Sequence, residues 1–99
     1  MPAYWINTFT EIRDENRLQA YVELAGPAMI AGGGRFLARG VPAHALENAT
    51  LLRTTLIEFP DAATALAAYE SPQYQEALDV LGDAADREIR IIEGVRPEG

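Results

Sequence analysis

Residues 56–75 constrain the fold more than any other part of this sequence. Residues 56–59 (LIEF) read as a strand that ends at Pro60, and Asp61 can cap a helix that starts directly afterwards. An alanine-rich run supplies that helix. Ser71 can cap a further helix with Pro72 at its first position, where the missing N–H costs nothing. These terminating and capping residues predict a strand followed by two consecutive helices.

The N-terminal third predicts a strand followed by an amphipathic helix. Residues 4–10 are rich in the aromatic and β-branched side chains that strands favour. Asp14 can cap a helix in which apolar residues recur at helical spacing. These residues are Leu18, Tyr21, Val22 and Ala25. Pro27 should kink or end this helix, and the three glycines at 32–34 should end it in any case.

The remaining segments complete the order β-α-β-β-α-β. Residues 35–39 form the second predicted strand, residues 40–49 a loop, residues 50–59 the third strand and residues 87–93 the fourth. Gly82 ends the helix that begins after Ser71. The order is that of the α+β, ferredoxin-like fold, a four-stranded antiparallel sheet with its helices on one face. We expect one such domain over residues 1–99.

Both faces of the predicted sheet carry large apolar side chains. In the first strand, Tyr4 and Ile6 point one way while Trp5 and Phe9 point the other. A face left to water should instead be mainly polar, and the helices can cover only one face. We therefore expect a homodimer with twofold symmetry, in which the sheets of two copies face each other.

Composition and charge exclude several classes of site and partner. The formal charge of −7 opposes binding to a polyanion, so we expect no nucleic acid partner. There is no cysteine, and His44 is the single histidine, so a thiolate or multi-histidine metal site is excluded within one chain. We expect no metal and no cofactor. The sequence has neither a membrane-length apolar run nor a secretory start, which predicts a cytoplasmic protein without a membrane partner.

Five ordered motifs resemble those of the DUF1330 family. They are residues 4–6 (YWI), 24–27 (LAGP), 33–40 (GGRFLARG), 57–60 (IEFP) and 71–75 (SPQYQ). The resemblance implies a ferredoxin-like subunit of the dimeric α/β-barrel superfamily. It implies no reaction, because the family is uncharacterised. Relatives in the superfamily suggest, by analogy alone, cofactor-independent oxygenation or isomerisation of a small substrate.

The sequence offers five candidates for lining a ligand pocket: Trp5, Asn7, Arg39, His44 and Glu58. Arg39 ends a strand and could bind a carboxylate or an enolate, and a partly buried Glu58 could act as a base. His44 could move a proton, although no acid or nucleophile lies near it in sequence. The alternative is that these charged groups form structural ion pairs or face solvent.

Two functions remain open at this level. The first is a small dimeric barrel that binds a small organic molecule, with or without cofactor-independent catalysis. The second is a non-catalytic, stress-related binding or assembly module, which the lack of an acid–base–nucleophile cluster favours. The helical tyrosines fall on apolar stripes and are interpreted as core residues: Tyr21, Tyr69 and Tyr74.

Overall fold

The computed structural model describes residues 1–96 and has the predicted order of elements. The elements are β1 (Ala3–Ile12), α1 (Glu15–Ala31), β2 (Arg35–Gly40), β3 (Thr54–Phe59), α2 (Ala62–Glu70), α3 (Pro72–Leu81) and β4 (Ala85–Glu93). The four strands form one antiparallel sheet in the order β2-β3-β1-β4. This arrangement confirms the ferredoxin-like α+β fold. Within residues 1–96 no helix is long and apolar enough to cross a membrane.

Side-chain caps fix where the helices begin. Asp14, Asp61 and Ser71 each accept a hydrogen bond from the backbone N–H three residues later, at 3.1, 2.7 and 3.2 Å. Each bond satisfies one of the N–H groups that a helix start leaves free. Gly82 follows α3 with a positive φ of 51°. The sequence predictions for these four positions are confirmed.

One boundary agrees with the sequence predictions and one differs. α1 ends at Ala31, directly before the three glycines, and Pro27 lies inside the helix without ending it. Ala28 and Met29 are each only 2% exposed, so burial of the last turn stabilises the helix despite the missing N–H of the proline. The third strand begins at Thr54, not at residue 50, because the Thr50 hydroxyl instead donates to the Phe9 carbonyl at 3.3 Å. Residues 41–53 therefore form one long loop.

The two faces of the sheet have different surroundings. The covered face lies under the three helices and contributes Trp5, Phe9, Ile57 and Phe59 to the core, each at most 2% exposed. Gly34 lies where the end of α1 meets this face. A Cβ atom there would come within 2.8 Å of Ile57 Cγ2, so only glycine fits without displacing its neighbours.

None of the helices in residues 1–96 lies over the opposite face of the sheet, which we call the open face. Its apolar residues are Tyr4, Ile6, Leu56 and Ile92. Between them lie two ion pairs, Arg35–Glu58 at 2.7 Å and Arg90–Glu88 at 3.1 Å. The open face is therefore more polar than the sequence pattern predicts, because Leu52, which a strand over residues 50–59 would place beside Leu56, lies in the loop before β3.

Candidate functional site

A row of polar residues crosses the covered face of the sheet. Arg39 of β2 pairs with Thr55 of β3, and Thr55 pairs with Asn7 of β1. Directly paired residues point to the same side of a sheet, so all three side chains point toward α1. With strands about 4.8 Å apart, the row runs about 10 Å from near the sheet edge to its centre.

A cleft lies between this polar row and α1. Its volume is about 40 Å³, more than the 10 to 15 Å³ that one water molecule requires. Its walls are mainly apolar and include Trp5, Phe9, Val22, Met29, Phe36 and Ile57. Gly26 of α1 also lines it, and a Cβ atom built there would meet nothing within 4 Å. The sequence of α1 thus leaves space where a longer side chain could have filled the cleft.

Asn7 is the deepest polar residue of the row and is incompletely bonded. The residue is 4% exposed, and its Oδ1 atom is buried without a hydrogen-bond partner among residues 1–96. A buried polar atom without a partner costs about 1 to 3 kcal/mol of stability. Leucine or valine would avoid this cost at the same position. The cleft therefore has one hydrogen-bond acceptor that the described fold leaves unused.

Two arginines line the cleft without an ion-pair partner among residues 1–96. All eight basic residues of the chain are arginines. Within residues 1–96, neither Arg39 nor Arg53 forms a salt bridge, whereas the guanidinium of Arg39 lies 4.4 Å from the centre of the Phe36 ring. The chain as a whole carries a charge of −7. Two cations that are not neutralised therefore meet at one cleft of an otherwise acidic protein.

A hydrogen-bonded cluster of two tyrosines and an arginine lies at the other end of the cleft. Tyr21 and Tyr74 both line it, and their hydroxyl oxygens are 2.8 Å apart. Arg87 donates from one guanidinium nitrogen to the Tyr21 hydroxyl and from the other to the Tyr74 hydroxyl, the second at 2.9 Å. We call these three residues the tyrosine–arginine cluster.

Burial and charge act in opposite directions within the tyrosine–arginine cluster. Burial raises the pKa of Tyr74 well above its ordinary value, so this phenol keeps its proton at neutral pH. Burial alone would lower the pKa of Arg87, but the two phenolic oxygens outweigh it and the net shift is upward. The guanidinium of Arg87 therefore remains charged although no carboxylate of residues 1–96 pairs with it.

The five candidates from the sequence fall in three places. Trp5, Asn7 and Arg39 line the cleft together. Glu58 points from the open face, where its carboxylate accepts from Arg35 at 2.7 Å and from the Tyr4 hydroxyl at 3.4 Å. The alternative interpretation of Glu58 as a structural ion-pair residue therefore agrees with this geometry.

His44 lies apart from the other candidates. It is exposed in the loop of residues 41–53 and lines a separate depression beside Thr8, Asn48 and Glu88. No hydrogen bond or salt bridge of its side chain is found within residues 1–96. No group of three or more His, Cys, Asp or Glu side chains in that range could hold a metal ion.

Sequence reasoning missed four residues that line the cleft: Tyr21, Arg53, Thr55 and Tyr74. It also missed Arg87, which donates to both tyrosine hydroxyls. Tyr21 and Tyr74 occupy apolar stripes of their helices and look like ordinary core residues in the sequence. Thr55 was recoverable, because the alternation of buried residues through Ile57 and Phe59 places it on the covered face. The tyrosine–arginine cluster joins residues 53 and 66 positions apart, which no local pattern indicates.

Comparison with known proteins identifies a family and a set of similar folds. The model of a domain of unknown function, DUF1330, matches residues 2–95. No curated protein sequence matches the chain. The crystal structure of RPA0582 from Rhodopseudomonas palustris, a protein of unknown function, is 19% identical with a TM-score of 0.72. The match covers 97% of this chain and 84% of that one.

Two further solved structures share the fold. A dimeric ferredoxin-like protein of unknown function from a Jannaschia species is 19% identical, with a TM-score of 0.69 over 95% of this chain and 100% of that chain. SnoaB from Streptomyces nogalater, a cofactor-independent oxygenase, is 10% identical in a mutant form. Its TM-score is 0.68 over 97% of this chain and 95% of that chain. At these identities the likeness concerns the fold alone.

Proposed function

This chain belongs to the DUF1330 family, whose function is unknown, and we propose that it binds a small organic anion in the cleft between α1 and the covered face. The ligand has an apolar, planar body, a negatively charged group and a hydrogen-bond donor. Arg39 and Arg53 bind the charged group, and the Oδ1 atom of Asn7 accepts the hydrogen bond. Trp5 and Phe36 pack against the body of the ligand.

The single observation that carries this proposal is the unpartnered Oδ1 atom of Asn7. Buried polar atoms are nearly always hydrogen-bonded, and an exception requires a reason. A ligand donor would supply the missing bond. Binding sites commonly combine apolar walls with a few such polar groups, as this cleft does. Because the cleft is small, we expect α1 to move away from the sheet when a ligand larger than a few atoms enters.

Arg39 and Arg53 indicate that the ligand carries a negative charge. A guanidinium binds a carboxylate through two parallel hydrogen bonds, and the interaction is stronger where apolar walls exclude water. Arg39 is exposed and Arg53 half-buried beside the cleft, so both guanidinium groups are accessible to an incoming anion. A bound anion would also stabilise the conformation in which the guanidinium of Arg39 lies over the Phe36 ring.

Cofactor-independent catalysis is a second candidate function, which the fold neighbours favour. SnoaB is described as a cofactor-independent oxygenase, and a protein from Nitrosomonas europaea of similar fold as a putative antibiotic biosynthesis monooxygenase. In such chemistry the substrate supplies the reactivity and the protein binds and orients it. A cleft with apolar walls and a few polar groups meets that requirement, although fold likeness alone does not carry a reaction from one protein to another.

The test is a titration of the purified protein with para-hydroxybenzoate, followed by the fluorescence of Trp5. Trp5 is the single tryptophan and lines the cleft, so its emission reports on occupancy. We expect saturable binding of para-hydroxybenzoate and at least tenfold weaker binding of the uncharged para-hydroxybenzamide. Absence of saturable binding of either probe up to millimolar concentration would contradict the proposal.

Matched arginine variants separate the cleft from the general charge of the protein. Arg39→Gln and Arg53→Gln should each weaken para-hydroxybenzoate binding about tenfold, the value of one charged hydrogen bond. Arg90→Gln is the control, since it removes the same charge from the open face. Equal effects of all three substitutions would mean that the anion does not bind at the cleft.

We further propose that two copies associate through their open faces to form a homodimer. Two solved structures of similar fold are described as dimeric ferredoxin-like proteins. The open face presents Ile6, Leu56 and the 58% exposed Ile92 around two internally neutralised ion pairs. Two such faces can meet without the net repulsion that the overall charge would cause.

Analytical ultracentrifugation tests this assembly. Ile92→Asp should convert the dimer to a monomer because it buries a charge without a partner in the contact. Leu66→Asp is the control, as Leu66 is 50% exposed on α2, on the other side of the sheet. A wild-type protein that sediments as a monomer at micromolar concentration would contradict the dimer while leaving the cleft proposal intact.

A further inference from the structure

The tyrosine–arginine cluster has one hydrogen-bond donor more than it can use. The two phenolic oxygens are 2.8 Å apart, so one hydroxyl proton lies between them. Arg87 donates to both oxygens and accepts nothing. The second hydroxyl proton therefore has no acceptor among residues 1–96. Asn7 Oδ1, on the same cleft, has the opposite deficit and lacks a donor.

The burial of the two tyrosines indicates which hydroxyl is free. Tyr74 is completely buried and Tyr21 is 5% exposed. Either hydroxyl can donate across the 2.8 Å contact, and Tyr74, the more deeply buried of the two, has only the Tyr21 oxygen to donate to among residues 1–96. The hydroxyl of Tyr21 is then free to point into the cleft, which it lines.

We propose that Tyr21 donates a hydrogen bond to an oxygen of the ligand that carries negative charge, and that Tyr74 and Arg87 position and polarise its hydroxyl. The inference rests on the proposed function and narrows its ligand to hydroxylated aromatic or enolic acids. The acidic oxygen of such a ligand accepts from Tyr21. A donor group on the ligand, such as a neutral hydroxyl, satisfies Asn7.

The positive charge of Arg87 makes this donor suited to an anion. Arg87 donates to the oxygen of Tyr21 and its guanidinium carbon lies 4.6 Å from the centre of the Tyr21 ring. Drawing electron density from the phenol strengthens its O–H as a donor. Fixed donors in a site that excludes water stabilise an oxyanion without having to reorganise. The cluster should therefore bind the ionised form of the ligand more tightly than the neutral form.

The test uses 3,4-dihydroxybenzoate and its analogues with one or two ring fluorines, so that one hydroxyl can ionise and accept from Tyr21 while the other donates to Asn7. Fluorine makes the ligand hydroxyls more acidic while the carboxylate and the shape change little. Binding is measured by calorimetry at one pH near neutrality. We expect affinity for the wild type to rise about tenfold or more across the series, because each analogue presents more of the ionised oxygen.

Tyr21→Phe should flatten that rise and weaken binding of the most acidic analogue about ten- to a hundredfold, the effect of losing a hydrogen bond to a charged group. Tyr74→Phe should reduce the rise less, since it leaves the Tyr21 hydroxyl in place. Tyr69→Phe is the matched control. The ring centres of Tyr69 and Tyr74 are 5.5 Å apart, but Tyr69 does not line the cleft. Melting curves confirm that each variant is folded.

The outcomes distinguish this inference from the proposal on which it rests. If no member of the series binds the wild type, the cleft is not an anion site and both fail. If the series binds and Tyr21→Phe keeps the full dependence on ligand acidity, the cleft proposal stands and the role of Tyr21 is overturned. A larger loss from Tyr74→Phe than from Tyr21→Phe would overturn the assignment of the free hydroxyl.

Discussion

The two faces of the sheet satisfy their polar groups in opposite ways. On the open face, where water is available, Arg35 pairs with Glu58 and Arg90 with Glu88. On the covered face, where water is scarce, Asn7 Oδ1 has no partner among residues 1–96. If stability alone decided the arrangement, the buried polar atom would be hydrogen-bonded, because water can satisfy polar groups on the open face but not under the helices. The difference indicates that the covered face was shaped by a requirement other than folding.

The largest effect is expected from removing one aromatic side chain from each face in turn. Trp5→Ala should lower the free energy of unfolding by about 3 to 5 kcal/mol, because the Trp5 side chain is 99% buried against Tyr74 and Phe59. Tyr4→Ala, the neighbouring residue on the open face, should cost about 1 kcal/mol in the monomer. Urea denaturation measures both values. Similar losses would mean that the two faces are equally covered in solution.

A substitution of Asn7 sharpens the comparison further. Asn7→Leu should raise the free energy of unfolding by about 1 to 3 kcal/mol, since it removes an unpartnered buried polar atom. The same variant should lose para-hydroxybenzoate binding. Thr8→Val, on the open face of the same strand, serves as the control and should change stability by about 0.5 kcal/mol or less. A destabilised Asn7→Leu protein would show that the amide already has a structural partner.

A smaller effect is expected at the ion pair of the open face. Glu58→Gln, compared in the monomeric Ile92→Asp background, removes the pair with Arg35, whose side chain is 72% exposed in the single chain. Exposed pairs contribute about 0 to 1 kcal/mol and are screened by salt, so the loss should be small and should vanish at high ionic strength. Denaturation at low and high salt measures it. A large loss that persists in salt would contradict the assignment of Glu58 to a surface ion pair of the single chain.

The smallest effect concerns Asp61, at the edge where α2 begins to cover the sheet. Hydrogen bonds from the side chain and the backbone N–H of Thr64 hold the pKa of Asp61 below its ordinary value of 3.8. The charged cap therefore stabilises the fold fully at neutral pH, and this contribution is lost as pH falls through the folded pKa. Asp61→Asn should remove this part of the pH dependence, as measured by melting temperature between neutral and acidic pH. An unchanged acid profile would contradict the assignment.

Local signals in the sequence were sufficient for most of the fold. The caps at Asp14, Asp61 and Ser71 act within three residues of themselves, so their effect can be read from the sequence. The end of α1 follows from the glycines at 32–34, whereas the start of β3 at Thr54 could not be predicted, because it depends on contacts with distant segments. Tertiary packing overrides the local preference of Pro27 and of residues 50–53.

The candidate site was predictable only in part, for a related physical reason. Trp5, Asn7 and Arg39 were selected from their strand positions, and the structure brings them to one cleft. The row from Arg39 through Thr55 to Asn7 depends on the register between strands, which the sequence of one strand does not define. The tyrosine–arginine cluster depends on two helices and β4 meeting, and its residues carry no signal of their own.

The central position of β1 has a consequence for how variation in this protein should be distributed. β1 contributes Trp5, Asn7 and Phe9 to the covered face and Tyr4, Ile6 and Thr8 to the open face. A scan of all substitutions along this strand should therefore show two interleaved phenotypes with a period of two. Odd positions would fail in folding or ligand retention, and even positions would fail only in self-association. One short segment of the gene thus records two selective pressures in alternate codons.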